Sequence, residues 1–294
     1  MSRRKSTDKI IITLIVVVLA IVFSLIGRKF GLFNTDTDKT ISDGAFSVHF
    51  IDVGQGDCIL IKSDNGNMLI DAGENGNEST VLNYLKDHDV TNIKYFVATH
   101  SHSDHIGGAA EVIDAVKVEN VILSKYSDHN TKTYEKMLEA IVKSKAKTIA
   151  AVPGNEYTMG DIKFTILAPS KDDDNLNNTS VVLKLTYGSH SFMFAGDAEK
   201  EVEEQLIDSG YDLSADVLKL SHHGSSTSNS PEFLKAVNPE IAVISYGSGN
   251  DYGHPHKEVV KLLEKEKINY YSTAKGGNTV IKIDDGKIIV EQEG

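Results

Sequence analysis

The stretch YFVATHSHSDHIGG, residues 95–108, joins a short apolar run to a cluster of three histidines and one aspartate. The apolar run predicts a buried strand, and the two glycines predict the opening of a helix. In an extended chain, His100 and His102 point to the same side and can bind one metal ion. Asp104 and His105 follow after the chain turns and can face a second ion about 3.5–4 Å from the first. The spacing therefore predicts a two-metal site rather than a solvated, histidine-rich loop.

Other polar clusters also occur where predicted strands end, which is where α/β proteins place their sites. They are 71–73 (DAG), 196–197 (GD), 221–225 (SHHGS) and 254–256 (HPH). From Phe46 onward, strand-like and helix-like segments alternate, in two halves that each begin with hairpin-like strands. This order predicts a layered α/β architecture with helices outside packed sheets.

The motif HSHSDH resembles the HxHxDH signature of the metallo-β-lactamase superfamily, and the order of the other clusters is similar too. The resemblance covers residues 46–291 and is strongest to the branch that contains the C-terminal domain of the competence DNA-uptake protein ComEC and bacterial choline-phosphate esterase domains. The marks of that branch are 49–57 (HFIDVGQGD), 218–225 (LKLSHHGS) and 252–256 (YGHPH). The resemblance implies that residues 46–294 form a hydrolase domain with an αββα four-layer sandwich fold.

The resemblance also implies roles for the ligand residues. His100 and His102 would bind the first metal ion, and Asp104 and His105 would bind the second. Asp197 would bridge the two ions, since a carboxylate can span two cations; it is also placed to cap the following helix. The implied cofactors are two divalent ions, Zn²⁺ or Mn²⁺, because imidazole and carboxylate ligands suit both.

Five further residues are candidates on the same resemblance. One of His222 and His223 would be the next ligand; spacing cannot decide between them, and we favour His222 because it leaves the strand first. The other would contact a substrate oxygen. Asp71 would support a metal-binding histidine by a hydrogen bond. His254 and His256 precede a helix and would either cap it or act as a proton donor or oxyanion-stabilising group.

The sequence departs from the superfamily at one ligand of the first metal. Most members place another histidine before the bridging aspartate, but here the nearby His190 lies in a predicted hairpin turn. The candidate substitute is Asn178. An amide suits Mn²⁺ better than Zn²⁺. This departure argues against classification as a β-lactamase.

The N-terminal 45 residues predict a membrane anchor. Residues 10–27 (IIITLIVVVLAIVFSLIG) follow four basic residues and are uninterrupted by charge. Eighteen helical residues span about 27 Å, enough to cross a hydrocarbon core. The charge bias predicts a cytoplasmic segment 1–9, a transmembrane signal-anchor 10–27, a linker 28–45 and an extracytoplasmic domain at the cell membrane. The alternative is a cleaved signal peptide and a secreted protein.

The net charge and the cysteine content limit the kinds of ligand and cofactor that the domain can bind. Residues 31–294 contain 24 of the 30 basic residues and 41 of the 42 acidic ones, a net charge of −17 with histidine neutral. A domain this acidic does not bind nucleic acid tightly without help. Metal ions would capture phosphate, with local help from Lys219, Lys275 or the His254/His256 pair. The single cysteine, Cys58, excludes an internal disulfide and a cysteine-based zinc cluster.

These observations predict a metal-dependent hydrolase in which two ions activate a water molecule. Asp104 would orient that water and take its proton, and His254 or His256 would protonate the leaving group. The resemblance favours a phosphodiesterase acting on a phosphoester substrate, of which an extracellular DNase related to competence is one form. The alternatives are a small-phosphoester hydrolase, such as a choline-phosphate esterase, and a non-catalytic metal-bound surface module. The sequence carries no prediction of oligomeric state.

Overall fold

The structure, a computed structural model, describes residues 46–126 and 131–294. The predicted cytoplasmic segment, transmembrane segment and linker, residues 1–45, lie outside the described residues. Within the described ranges, no helix has the combination of length and hydropathy that crossing a bilayer requires.

Two sheets contain all the strands of the described chain. The strands are β1 Phe46–Phe50, β2 Ile59–Ser63, β3 Gly66–Ile70, β4 Asn92–Ala98, β5 Lys117–Ser124, β6 Lys147–Ala151, β7 Glu156–Met159, β8 Ile162–Ala168, β9 Val182–Tyr187, β10 His190–Phe194, β11 Val217–Lys219, β12 Ile241–Ile244, β13 Asn269–Ser272, β14 Asn278–Asp284 and β15 Lys287–Glu293. The first sheet has the order β15-β14-β1-β2-β3-β4-β5-β6, and the second has the order β13-β12-β11-β10-β9-β8-β7. Each sheet has a parallel half, β3 to β6 in the first and β10 to β13 in the second, and the remaining pairs are antiparallel.

Helices follow the parallel strands, as right-handed crossovers require. The α-helices of the described chain are α1 Glu78–Asp87, α2 Ser103–Ile106, α3 Ala109–Ala115, α4 Lys132–Ser144, α5 Lys200–Asp208, α6 Pro231–Val237, α7 Lys257–Glu266 and α8 Thr273–Gly276. Two short 3-10 turns lie at Leu176–Thr179 and Ser221–Gly224. Both turns follow the end of a strand and carry side chains of the site described below.

Alternation of side chains along the strands divides the core into three layers of apolar contact. Phe46 and Phe50 of β1 pack between the sheets, where the Phe50 and Phe194 ring centroids are 6.3 Å apart. Phe96 of β4 points the opposite way, into the cluster formed by the first sheet and its helices. Phe233 of α6 belongs to the matching cluster beneath the second sheet. The predicted αββα sandwich is therefore confirmed for the described domain.

The two parallel halves bring their carboxyl ends to one edge of the sandwich. There Val181 N–H donates to the carbonyl oxygen of Thr99, at 2.9 Å, and His222 N–H donates to that of Gly196, at 3.0 Å. The first bond joins the loop after β4 to the segment that precedes β9, and the second joins the loops after β10 and β11. The polar clusters that are far apart in the sequence are thereby assembled side by side.

Strands β7 and β13 and the short helices α2 and α8 have little signal in the sequence. Strands β7 and β13 form the two edges of the second sheet and are short and partly exposed, so they lack a clear apolar alternation. Helix α2 contains the second half of the ligand motif, with His102 as the residue that precedes its first turn. The motif is therefore extended only up to His102.

Candidate metal centre

Asp197 lies at the centre of the polar clusters. It follows β10 and is 2% exposed. Its Oδ2 is 3.3 Å from Nε2 of His105, 3.5 Å from Nε2 of His223, 3.8 Å from Nε2 of His222 and 3.9 Å from Nε2 of His100. Four imidazoles from two strand ends thus surround one carboxylate oxygen. This is the arrangement expected around a carboxylate that bridges two cations.

The helix after Asp197 begins at Lys200, and its N-cap residue is Glu199. Asp197 therefore does not have the capping role that its sequence position allowed. Its backbone N–H donates to Oγ of Ser180, at 3.1 Å, which holds it in the loop and leaves the carboxylate facing the histidines.

Within the ligand motif, His100 and His102 lie side by side. Nε2 of His100 lies 3.0 Å from Nδ1 of His102. His100 is buried, whereas His102 reaches the surface of the adjacent cleft. The pair presents ring nitrogens beside Asp197 and can hold one ion.

A second group consists of Asp104, His105, Asp197 and His223, whose ligand atoms all lie within 4.8 Å of one another. Nε2 of His223 is 3.3 Å from Oδ2 of Asp104. The structure thus favours His223 over His222 as the residue that completes this group. His222 is half-buried, with its Nε2 3.8 Å from Oδ2 of Asp197 and its Nδ1 3.4 Å from Oε1 of Glu199.

Hydrogen bonds from the far ring nitrogens orient two of these histidines. Nδ1 of His105 donates to Oδ2 of Asp71, at 2.8 Å, as expected from the sequence, and Nδ1 of His223 donates to the carbonyl oxygen of Ser245, at 2.9 Å. Asp71 is itself held by the backbone and side chain of Thr99. With the proton on Nδ1, each Nε2 carries a lone pair directed at the cluster, as a metal ligand must.

Unsatisfied buried atoms test whether the residues fit metal ions. Nε2 of His105, Nε2 of His223 and Oδ1 of Asp197 are buried without a hydrogen-bond partner among the described residues. Buried polar atoms are almost always satisfied, because leaving one unpaired costs about 1–3 kcal/mol. Divalent cations at this position would satisfy all three atoms, so the donor set fits them.

The electrostatics of the cluster favour positive charge. Burial alone would lower the pKa of His223, but Asp197, Asp104 and Asp57 outweigh it and raise that pKa to about 9. Burial would likewise raise the pKa of Asp197, but His105 and His223 hold it well below its usual value. A potential that stabilises a proton on an imidazole also stabilises a metal cation.

The turn that carries His222 and His223 is conformationally unusual. Both residues have left-handed backbone angles, with φ of 47° and 52°, which cost roughly 1–2 kcal/mol per non-glycine residue. Asn229 supports the turn: its Oδ1 accepts from Ser221 N–H, and its Nδ2 donates to the carbonyl oxygens of Ser221 and Ser225. The strained turn directs both imidazoles toward Asp197.

The loop 51–57, part of the HFIDVGQGD mark in the sequence, packs against the backbone of the ligand motif. Gly56 has φ +119°, and a Cβ atom there would lie 2.0 Å from the carbonyl oxygen of Asp104. The next residue, Asp57, donates its N–H to that same oxygen, at 3.2 Å. Only glycine allows this close approach. The two glycines around Gln55 were the sequence signal that a backbone contact lies here.

A buried ion pair also lies beneath the site. Lys219 is 0% exposed, and its Nζ is 2.9 Å from Oδ1 of Asp57. The expectation that Lys219 contacts a substrate phosphate is therefore wrong, because its ammonium is enclosed by protein. A lysine inside the apolar strand Val217–Lys219 was the sequence signal for a buried partner of opposite charge.

A cleft of about 240 Å³ opens above the cluster. It is lined by Gln55, His102, Ser103, Asp104, Asn177, Asp197, His222, His223, Tyr252 and His254. Among these described residues there is no lysine or arginine. Burial and the neighbouring His223 and His222 lower the pKa of His254 to about 4, so its imidazole is neutral at pH 7.

Three further candidates belong neither to that lining nor to the buried groups beneath it. The amide oxygen of Asn178 accepts from Glu199 N–H, at 3.1 Å, and its neighbour Asn177 reaches the cleft instead. Nδ1 of His256 accepts from Ser226 N–H, at 2.8 Å, so this ring supports the 221–225 turn. Lys275 is an exposed residue of α8 and does not line the cleft. Of His254 and His256, only His254 lines the cleft.

Comparison with known proteins identifies the class. The metallo-beta-lactamase superfamily profile matches residues 51–248. Among solved structures, the metallo-beta-lactamase fold protein YhfI from Bacillus subtilis is similar with a TM-score of 0.53 at 16% identity, covering 78% of this chain and 96% of that one. The chain belongs to the metallo-beta-lactamase superfamily.

Its curated relatives define the branch. ComE operon protein 3 of Bacillus subtilis is 30% identical over 78% of this chain, and competence protein ComA of Neisseria gonorrhoeae is 30% identical over 81% of it. The matched region is 32% of each relative, so the chain spans about a third of the length of these proteins. Over the matched region the chain is therefore similar to the ComEC-like competence branch of the superfamily.

Proposed function

We propose that this protein is a metal-dependent phosphodiesterase that binds two divalent ions around Asp197. The observation that carries the proposal is the convergence of four imidazoles on Oδ2 of Asp197, all within 3.9 Å, at the floor of an open cleft. Two ions held there would supply an activated water and positive charge for the phosphoryl oxygens.

The chain's own residues divide into two ligand sets that share Asp197. His100 and His102 form the first set, and Asp104, His105 and His223 form the second. His222, which faces Asp197 from the more exposed side, belongs with the first set or with the substrate. Asn177, whose Oδ1 is buried without a hydrogen-bond partner among the described residues, takes the place that the sequence had assigned to Asn178.

Two residues are placed for proton handling. Asp104 faces the cleft, and its pKa is held below the usual value by His105 and His223 in spite of burial, so it is an ionised acceptor at pH 7. His254 is a neutral imidazole at the rim and can donate an N–H hydrogen bond to the leaving oxygen. His256 supports this part of the site through Ser226 and does not itself reach the cleft.

DNA is the favoured substrate within this class. One of these relatives, ComA of Neisseria gonorrhoeae, is named a competence protein, which supports a role with DNA. Since no lysine or arginine is among the described residues lining the cleft, the metal ions would provide the main attraction for phosphate. Hydrolysis of DNA is then expected to need a hard cation such as Mn²⁺ and to show a KM that rises with salt.

The test is metal analysis of the purified full-length protein, followed by assays of the same sample on DNA and on bis-p-nitrophenyl phosphate. We expect close to two divalent ions per chain and hydrolysis of both substrates. Metal binding without hydrolysis of either would instead indicate a non-catalytic surface module.

A second candidate is hydrolysis of a small phosphoester such as a choline-phosphate group. The net charge of −17 over residues 31–294 supports it, because a small ligand does not experience the repulsion that a polyanion does. A small-phosphoester enzyme would hydrolyse bis-p-nitrophenyl phosphate or a choline phosphoester with little salt dependence and would leave DNA intact.

We further propose that the domain is held outside the cytoplasmic membrane by residues 10–27. The proposal is supported by the length of the apolar run and by the basic residues before it. Protease added to intact spheroplasts should digest residues 46–294. Full protection would contradict the orientation, and a mature chain that begins after residue 27 would show that the segment is a cleaved signal.

A further inference from the structure

One aromatic side chain at the mouth of the cleft is left open to solvent. Tyr252 lines the cleft together with Asp104 and His222, yet it is 66% exposed. Single exposed aromatic residues are common on protein surfaces, and exposure alone implies nothing. The position of this ring beside the candidate ligands distinguishes it from the other exposed tyrosine of the described chain, Tyr211, which lines a separate cleft.

Contacts with His254 and Asn250 hold the Tyr252 ring in place. Tyr252 stacks on His254, with 5.6 Å between ring centroids and 20° between the planes. Oδ1 of Asn250 accepts the backbone N–H of both Tyr252 and His254, at 3.2 Å and 3.0 Å. Nδ2 of Asn250 donates to the carbonyl oxygens of Gly247 and His254, at 2.9 Å and 2.8 Å. One face of the ring is therefore covered by His254, and the exposed part is already ordered for a ligand.

We propose that Tyr252 is a stacking platform for a nucleobase of the substrate and makes the site selective for nucleotide-containing phosphodiesters. This inference rests on the proposed function. The metal ions would hold the phosphate, and no lysine or arginine among the described lining residues adds to that attraction. Stacking of a base on an aromatic ring is independent of charge, so it contributes affinity where the protein surface repels the backbone.

A quaternary ammonium group fits the same ring less well. Such groups are bound in cages of several aromatic side chains that surround the cation. Apart from the histidines of the cluster, Tyr252 is the one aromatic residue among the described residues that line this cleft. A single ordered ring with one accessible face suits a flat partner better than a tetrahedral one.

The experiment measures binding and hydrolysis with the full-length protein loaded with Mn²⁺. Fluorescence anisotropy gives Kd for a short labelled oligothymidylate and for an abasic oligonucleotide of the same length. The variants are Tyr252→Ala, Tyr252→Phe and the matched control Tyr211→Ala. Metal content is measured for each, so that a loss of ions is recognised.

We expect the native protein to prefer the oligothymidylate. Tyr252→Ala should raise its Kd at least about fivefold, the effect of losing one stacked base, and should abolish the preference over the abasic strand. Tyr252→Phe and Tyr211→Ala should keep the preference. A native protein without the preference, a preference that survives in Tyr252→Ala, or an equal loss in Tyr211→Ala would overturn the proposal. So would a Tyr252→Ala variant that loses choline-phosphoester hydrolysis while its oligonucleotide binding is unchanged.

Hydrolysis is followed in the same samples. Absence of cleavage of the oligonucleotides and of bis-p-nitrophenyl phosphate would contradict the proposed function. The binding contrast between the two strands would still decide the role of Tyr252, so the two failures are distinguishable.

Discussion

Nζ of Lys219 lies 2.9 Å from Oδ1 of Asp57, and both side chains are fully enclosed by protein. Lys219 ends strand β11 of the second sheet, whereas Asp57 precedes strand β2 of the first, so the ion pair links the two halves of the sandwich. Burial would raise the pKa of Asp57, but Lys219 and His223 outweigh it and lower that pKa to about 2. The carboxylate is therefore ionised, and it depends on Lys219 for compensation.

Removing the ammonium should destabilise the fold. In Lys219→Met, the Asp57 carboxylate is left buried without its main partner, and we expect a loss of about 3–5 kcal/mol in the free energy of unfolding. The double variant Asp57→Asn/Lys219→Met should recover part of this loss, because no charge is then buried unpaired. Urea unfolding of the full-length protein measures both.

The matched control is an exposed pair of the same length. Nζ of Lys163 lies 2.8 Å from Oε1 of Glu156, with about half of each side chain exposed. Lys163→Met should cost less than about 1 kcal/mol. Equal losses in the two lysine variants would show that the Lys219 pair gains nothing from its burial.

Loss of the central carboxylate should remove metal. In Asp197→Ala, the four surrounding imidazoles lose the oxygen that lies within 3.9 Å of each, and we expect most of the bound metal and all measurable hydrolysis to disappear. Metal content per chain is the measurement. Asp208→Ala, which removes an exposed carboxylate of helix α5, should keep the native content. Native occupancy in Asp197→Ala would refute the bridging role.

The close approach of Gly56 to Asp104 predicts a steric effect on the second ligand group. A Cβ atom in Gly56→Ala would lie 2.0 Å from the Asp104 carbonyl oxygen, so the backbone of the ligand motif must move. We expect lower stability and weaker metal binding. Gly188→Ala is the control, because Gly188 also has a positive φ, of 58°, but has open space around it. It should cost about 1–2 kcal/mol and leave metal binding unchanged. Similar metal affinities in both variants would contradict the steric argument.

Asn229 holds the 221–225 turn in shape without being a candidate ligand. Its loss should therefore weaken metal binding indirectly. Asn229→Ala removes three hydrogen bonds that hold Ser221 and Ser225, and the strained His222-His223 pair should relax. Because supporting residues of this kind contribute about 10–100-fold to metal affinity, a weakening of that size is expected in a metal titration.

A second substitution tests the same support. Glu203 is buried and accepts the backbone N–H groups of Asn229 and Ser230, so Glu203→Ala should weaken metal binding in the same direction. The exposed Asn155, which lies away from the turn, provides the control variant Asn155→Ala. Metal binding of native strength in Asn229→Ala would show that the turn holds its shape without this side chain.

The sequence alone determined the features that are local in the chain. A buried strand followed at once by HSHSDH predicts ligands at a strand end, because adjacent residues share one backbone path. The same holds for Asp71 and Asp197, which follow β3 and β10. Residues 95–108 and the marks around them were therefore enough to predict the family and the sandwich, and they supplied the candidate ligands.

Only the tertiary structure decided the features that depend on partners far away in the chain. His223 rather than His222 completes the second group because its Nδ1 meets the carbonyl oxygen of Ser245, on the neighbouring strand end. Asn177 rather than Asn178 lines the cleft. Glu199 N–H donates to Oδ1 of Asn178, whereas the Glu199 carboxylate accepts from Nδ2 of Asn177 and leaves its Oδ1 without a partner among the described residues. The sequence did not predict that Lys219 is buried, because its partner Asp57 lies 162 positions earlier in the chain and only folding brings the two together. The physical reason is common to all three: a hydrogen bond or ion pair directs a side chain only when folding brings its partner within about 3 Å.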